Sequence, residues 1–379
     1  MQKGTMRKDG RINRANISKT ALSHAPLPIA GGLPRPGVKG TADPDGTIVW
    51  YDCRFLVLEG KGWTDTESYY DRLPAKAKGL VPAEVWNPGH DTAGMCVRFT
   101  TDSPCIRVRW SLLREVMAMP HMPATGVSGI DLYNRDETGE WRFLGNGRPV
   151  DTSNTAEFSL TAGRENILYL PLYNGVTSVE IGIPKERSLA KPRPSPRDHR
   201  KPVVFYGTSI TQGGCASRPG MAATAMVGRG LDVPVINLGF SGSGKMEPEM
   251  ATLLAELDPS VYVLDCLWNM SLPMVLERIP FFVKTLRQSR RDTPVLLVED
   301  SSFKNITPTE KGRMLRVMCR RLKKEGMNQL YFVSNKDMLG DDDEGTVDGC
   351  HPNDVGMMRQ AAVFMKALAP LLLNIKQPR

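Results

Sequence analysis

Three hundred and seventy-nine residues exceed one ordinary domain and suit two. With 41% hydrophobic and 24% charged residues, the composition sits at globular averages and excludes collagenous, coiled-coil and wholly disordered chains. The net charge of +8 raises the question of a nucleic-acid partner, but its distribution argues against one. Residues 1–40 hold eight Lys/Arg against Asp9 alone, and residues 185–202 hold seven against Glu186 and Asp198, so Pro- and Gly-rich segments carry the whole excess.

No run approaches the roughly 18 apolar residues of a spanning helix, and the N-terminus shows no apolar stretch of signal-peptide type, so a soluble chain is expected. The seven cysteines, at 53, 96, 105, 215, 266, 319 and 350, form no CxxC pair and no zinc spacing. Neither a disulfide scaffold nor a metal site is expected, with a pairing such as Cys96 to Cys105 left open. A reduced set fits a cytosolic compartment.

In chain order, residues 1–45 read as a basic leader without helical or strand period. Residues 46–184 carry short runs rich in Val, Ile, Tyr, Trp and Phe (TIVWY, GMCVRFT, CIRVRWSLL, EWRFLG, NILYLPLY, SVEIGIP) separated by turn residues, the pattern of an antiparallel sandwich or jelly roll. Residues 185–202 alternate prolines with charges and are expected to be an extended linker. From 203 to 379 the rhythm changes to five apolar strands alternating with helical patterns: VVFY, VINL, VYVLDC, VLLVE and QLYFV. That predicts an α/β domain of three layers around a parallel five-stranded sheet, with chemistry at the carboxyl ends of the strands.

Four groups sit at those ends. Ser209, in Gly207-Thr208-Ser209-Ile210, follows the first strand, where a strand-to-helix turn exposes the hydroxyl and aims its N–H into the same pocket. Gly242, in the glycine-rich stretch after the second strand, lets a backbone N–H approach a ligand. Asn269 follows the third strand and offers an amide. In Asp348-Gly349-Cys350-His351-Pro352, Pro352 restrains His351, and Gly349 permits a tight turn bringing carboxylate and imidazole together as a general base requires. Each alone has a bland reading as loop, cap or turn, but their order within one α/β domain favours catalysis.

With these residues in place, the C-terminal half resembles the SGNH hydrolase superfamily, the GDSL-like esterases. The resemblance implies Ser209, Gly242, Asn269 and His351 as the four named residues, Asp348 as triad partner, and Ser209, Gly242 and Asn269 as oxyanion hole. YYDRLPAKAKGLVPAEVW (69–86), TAGMCVRFTTDSPCIRVRW (92–110) and GIDLYNRDETGEWRF (129–143) are similar to the β-sandwich preceding the catalytic domain in one bacterial group. There are two departures. Thr208 stands where the superfamily has Asp, and Leu267-Trp268-Asn269-Met270 replaces Gly-x-Asn-Asp, with Asn237 as fallback donor.

The resemblance implies a cofactor-free serine esterase acting through an acyl-enzyme, with acetylated carbohydrate as substrate class and no nucleic-acid or membrane partner; relatives of this kind are often exported. Without a long amphipathic insertion for a lid, short acyl groups are favoured. Trp268 is expected to wall the acyl pocket and Arg218 to face the substrate. The loop 117–129 is expected to reach the site, with His121 an ordinary loop residue. The alternatives are a lysophospholipase or thioesterase, and a non-catalytic carbohydrate-binding relic.

Overall fold

The computed structural model describes residues 40–302, 304 and 306–373. The expected leader lies outside the described residues up to position 39, and its end does not stay unstructured: Thr41–Ala42 (β1) pairs with Ile48–Asp52 (β2). The strands that follow are Val57–Glu59 (β3), Cys96–Thr101 (β4), Cys105–Leu112 (β5), Ile130–Arg135 (β6), Trp141–Gly147 (β7), Ser153–Ser159 (β8), Glu165–Tyr169 (β9), Val176–Pro184 (β10) and Leu189–Ala190 (β11). They form two antiparallel sheets, β1-β2-β10-β5-β8 and β11-β4-β9-β6-β7, with β3 beside β4. Short helices α1 (Ala83–Trp86) and α2 (Ala124–Val127) lie in the connections.

The inner faces of the two sheets meet over Val97, Phe99, Ile106, Trp110, Leu132, Leu168 and Ile181. Side chains alternate across a strand. In β4 and β9 the residues between those, Cys96, Ile167 and Tyr169, therefore point outward, where they join a second core with Val203, Phe205, Val227 and Val235 of the following domain. One sheet of the sandwich is thus buried on both faces. Each large apolar side chain there contributes about 1.5–3 kcal/mol, so the two halves share a core rather than hang from a tether.

That explains two strands the pattern did not announce. β6 is buried on both faces, polar Asp131 and Asn134 included, and so makes no apolar run, while β8 buries only Asn154 and Phe158. It also corrects the linker. Residues 185–202 include β11, which pairs with β4, and a turn of 3-10 helix at Pro196–His199 whose Arg197 is buried against Glu59 and the Gly228 carbonyl.

The five later strands are Val203–Gly207 (β12), Val235–Gly239 (β13), Val261–Asp265 (β14), Val295–Val298 (β15) and Leu330–Val333 (β16), all parallel in the order β13-β12-β14-β15-β16. Ser209–Gln212 (α3) follows β12 directly, and the longer helices are Ala223–Gly230 (α4), Pro248–Glu256 (α5), Leu272–Ser289 (α6), Glu310–Lys324 (α7) and Asp354–Leu373 (α8). Val203, Phe205 and Val263 face α4 and α8, while Val204, Tyr206 and Leu264 face α5, α6 and α7, giving three layers. From β12 the chain passes to β13 on one side and then crosses back over β12 to β14 on the other. The crevice at the carboxyl ends opens at that reversal.

One helix, α8, is long and apolar enough to cross a membrane by length and composition, contrary to the expectation that no segment would be. Its apolarity has another cause. Met357, Ala361, Phe364 and Leu368 recur at helical spacing and pack into the core beside the sheet.

Candidate active site

Glycine lets the turn that carries Ser209 sit hard on the sheet. A Cβ at Gly207 would stand 2.1 Å from Thr211 Oγ1, and one at Gly239 2.1 Å from the Gln212 N, so only bare backbone allows α3 to start where β12 ends. Thr208 caps that helix, its hydroxyl accepting the Ile210 N–H at 3.3 Å. The departure from Asp at this position therefore keeps an N-cap. Ser209 follows at the first helical position and is 8% exposed.

Across 142 positions, Ser209 Oγ lies 2.9 Å from His351 Nε2. His351 Nδ1 lies 2.8 Å from Asp348 Oδ2, and Asp348 Oδ1 accepts the N–H of His351 at 2.8 Å and of Cys350 at 3.0 Å. An ionised carboxylate only accepts, so Nδ1 carries the proton and Nε2 is left to accept from the serine. Partial burial works to raise the Asp348 carboxyl, but the backbone and imidazole donors outweigh it and hold the group down at about 2.

Gly242 adopts φ +77° with nothing near its missing side chain, and the turn around it is held from two sides. Gln212 Oε1, on α3, accepts the Ser241 N–H at 2.8 Å, and Asn269 Nδ2 donates to the Ser243 carbonyl at 2.6 Å. Among the described residues no acceptor takes the N–H of Ser209 or of Gly242. Asn269 spends one of its two amide hydrogens on Ser243 and keeps one. Asn237, the fallback donor, is consumed structurally: its amide donates to the Thr211 carbonyl and Thr224 Oγ1, and its oxygen accepts the Gly239 N–H.

Gln212 is itself oriented by Asp91, which accepts from its amide at 2.8 Å and pairs with Arg114. Arg72, fully buried, donates to the carbonyls of Asp91, Asn237 and Gly239. Burial lowers its guanidinium to about 10 and raises the Asp91 carboxyl despite the arginines beside it. These positioning residues carry no motif, because what links them is a network between the segment 60–95 and the end of β13.

Arg218, expected at the substrate, is engaged elsewhere, while Trp268 is held in place beside Asn269. Arg218 is turned onto the sandwich: Nη1 donates to Asp131 Oδ2 at 2.8 Å and Tyr133 Oη at 2.6 Å, and the guanidinium lies 3.8 Å over the Phe143 ring. Asp131 is wholly buried, and an enclosed carboxylate needs a cation, which Arg218 supplies. Trp268 is half-buried, its indole N–H donating to Ser301 Oγ at 2.9 Å and its carbonyl accepting from Lys311.

The sandwich also touches Ser209 and His351. Tyr173 Oη donates to the Ser209 carbonyl at 2.9 Å, and His121, in the loop 117–129, sets its ring edge-on to His351 at 5.4 Å between centroids. Thr125 and Gly126 dock that loop on residues 216–217, where a Cβ at Gly126 would stand 2.3 Å from the Ala216 carbonyl. Cys215 brings its Sγ into the same corner, so that the donor atoms of His121, Cys215 and His351 all lie within 4.8 Å of one another. The absence of zinc spacing in the sequence concealed this group, since its members come from three distant segments. All seven cysteines are free, Cys96 and Cys105 included, and burial pushes the Cys215 thiol up to about 12.

Residues 200–369 match the family model described as GDSL-like Lipase/Acylhydrolase family, and residues 48–189 match the model GxDLY, N-terminus of Esterase_SGNH_hydro-type. A protein from Bacteroides ovatus described as a GDSL-like lipase is similar over 86% of this chain and 98% of its own, at 34% identity and TM-score 0.79. The chain belongs to the GDSL-like lipase/acylhydrolase family. Its fold is also similar to a salicylyl-acyltransferase from a tetracycline biosynthetic pathway, with 17% identity, TM-score 0.68, and coverage of 90% of this chain and 99% of that one. It is similar too to a family two carbohydrate esterase from Clostridium thermocellum in complex with cellohexaose, with 14% identity, TM-score 0.53, and coverage of 74% and 93%. No curated protein matches the chain. In this chain the motif that names the N-terminal family is Gly129-Ile130-Asp131-Leu132-Tyr133, and two of its side chains, Asp131 and Tyr133, grip Arg218, while Asp131 also accepts the Gly220 N–H at 2.8 Å.

Proposed function

We propose that this acylhydrolase is a serine esterase for short-chain esters, with O-acetyl groups on a carbohydrate as the substrate class. The reading is carried by one observation, the relay from Ser209 Oγ through His351 to Asp348 at 2.9 and 2.8 Å, with open N–H groups at Ser209 and Gly242.

Ser209 attacks the ester carbonyl while His351 Nε2 takes its proton, and Asp348 stabilises the imidazolium that forms. The oxyanion is received by the N–H groups of Ser209 and Gly242 and the spare amide hydrogen of Asn269. His351 returns the proton to the departing alcohol, then activates water to release the acid. The protein's own groups supply every proton transfer.

Support for a short acyl group comes from Trp268, whose bonds to Ser301 and Lys311 fix a wall next to Asn269. Support for a sugar alcohol comes from the family two carbohydrate esterases that share the fold, one of them holding cellohexaose. The intact relay disfavours a relic. The test is acetate release from acetylated oligosaccharides and from aryl esters of acetate to octanoate, with Ser209→Ala alongside. Loss of turnover in the variant and decline with acyl length are expected. Turnover by Ser209→Ala near the native rate overturns the mechanism, and a steep rise towards octanoate moves the substrate to lipid-derived esters. Transfer of acetyl to an added alcohol in place of release to water would place the protein with acyltransferases, a reading favoured by the 90% coverage shared with the salicylyl-acyltransferase.

A further inference from the structure

His121, Cys215 and His351 put two imidazoles and a thiol at one corner of the cleft. We propose that these three side chains form a site for a divalent transition metal of the zinc class, and that its occupancy switches the catalytic relay off. The inhibition, though not the binding, rests on the esterase reading.

The donor set is the first argument. Two nitrogens and one sulfur suit a borderline-soft ion and not magnesium or calcium, which take oxygen ligands. Distance is the second. The three donor atoms lie within 4.8 Å of one another, whereas the edges of a tetrahedral zinc site with nitrogen and sulfur ligands run about 3.3–3.7 Å, so closure needs a movement of about 1 Å. His121 can supply it, being half-buried in a loop, while Cys215 is held by its N–H on the Pro352 carbonyl at 3.0 Å, next to His351.

The third argument is origin. The ligands come from the sandwich, from the turn after the nucleophile helix and from the catalytic loop, so a bound ion would tie the domains together across the cleft. Asp348 on Nδ1 already gives His351 the carboxylate partner that metal-bound histidines carry on their other nitrogen. Three protein ligands leave a fourth position open to water or to Ser209 Oγ, which lies 2.9 Å from Nε2.

The consequence for catalysis is chemical. The Nε2 lone pair that accepts the serine proton is the one a metal would take, so metal and proton compete for a single site. On binding, Cys215 releases its proton to solvent and ligates as thiolate.

The test uses the full chain freed of metal by a chelator. Zn2+ affinity is measured by competition with a chromophoric chelator, and Co2+ is added as a spectroscopic probe. Saturable one-to-one Zn2+ binding is expected, with a thiolate-to-cobalt charge-transfer band. Cys215→Ser should abolish that band, and Cys215→Ser and His121→Ala should each weaken Zn2+ by about 10- to 100-fold or more. Aryl-ester turnover should fall in step with Zn2+ occupancy and return on chelation. No saturable binding by the native chain, or native affinity in both variants, overturns the site. Binding with these signatures but without loss of turnover removes the switch, and a chain that binds metal yet never hydrolyses an ester removes the esterase reading and the switch with it, leaving the metal site standing.

Discussion

Replacing Asp348 by Asn tests the relay more sharply than deleting it. In the native loop Oδ1 accepts two backbone N–H groups, of His351 and Cys350, while Oδ2 faces His351 Nδ1. An Asn has one oxygen, and the two N–H donors claim it, so the NH2 is forced onto Nδ1. That stabilises the tautomer with the proton on Nε2, which cannot accept from Ser209. Turning the amide round would restore the right tautomer but sacrifice both backbone bonds, at about 0.5–1.5 kcal/mol each, or roughly 10- to 100-fold in population together. Loss of the charge that stabilises the imidazolium adds to this, moderated by solvent because the Asp348 side chain is 37% exposed. A fall in kcat of about 10² to 10⁴ on p-nitrophenyl acetate follows, with KM little changed. Asp348→Ala removes more atoms yet leaves Nδ1 to water and both tautomers open, so it should be the faster variant. If Asp348→Asn keeps native turnover, or outpaces Asp348→Ala, the carboxylate does not set the tautomer.

Asn269→Ala should lower kcat by about 10² to 10³ if its spare hydrogen meets the oxyanion, and an unchanged kcat would restrict it to holding Ser243. Arg218→Met strands the buried Asp131 carboxylate at a cost of about 3 kcal/mol, seen as a lower Tm, and Asp131→Asn added to it should recover part of the loss. A native Tm in the single variant would show that the contact carries no stability. Asp265 is buried at the end of β14, and burial first, then Asp300, lift its carboxyl to about 6 against the hydroxyl of Thr211. Its folded value lies above an unfolded one near 4, so its protonated form stabilises the fold at low pH. That contribution fades as pH rises from about 4 through 6, leaving a deficit of about 3 kcal/mol beyond. Asp265→Asn should therefore raise Tm at mildly alkaline pH and give no gain below about pH 4, as calorimetry across that range would reveal.

The parts of this protein that were legible in its residues are those governed by neighbours in the chain. Five apolar runs alternating with helical patterns specify a parallel sheet, because burial on both faces removes polar alternation. Asp348 and His351, three positions apart across a glycine, can meet within one turn. Ser209 stands at a strand end wherever VVFY is a strand.

What pattern could not supply is which distant groups meet. β6 and β8 escaped notice because one carries Asp131 and Asn134 into the interior, breaking any apolar run, and the other buries only two side chains. Arg218 read as a substrate-facing residue until folding brought Asp131 beneath it from 87 positions away. His121 read as a loop residue until the sandwich docked and set it against His351. Local periodicity reports how a segment meets water and core. The partner of a charge or a ring across the molecule depends on how whole layers pack, and no single window of sequence contains that information.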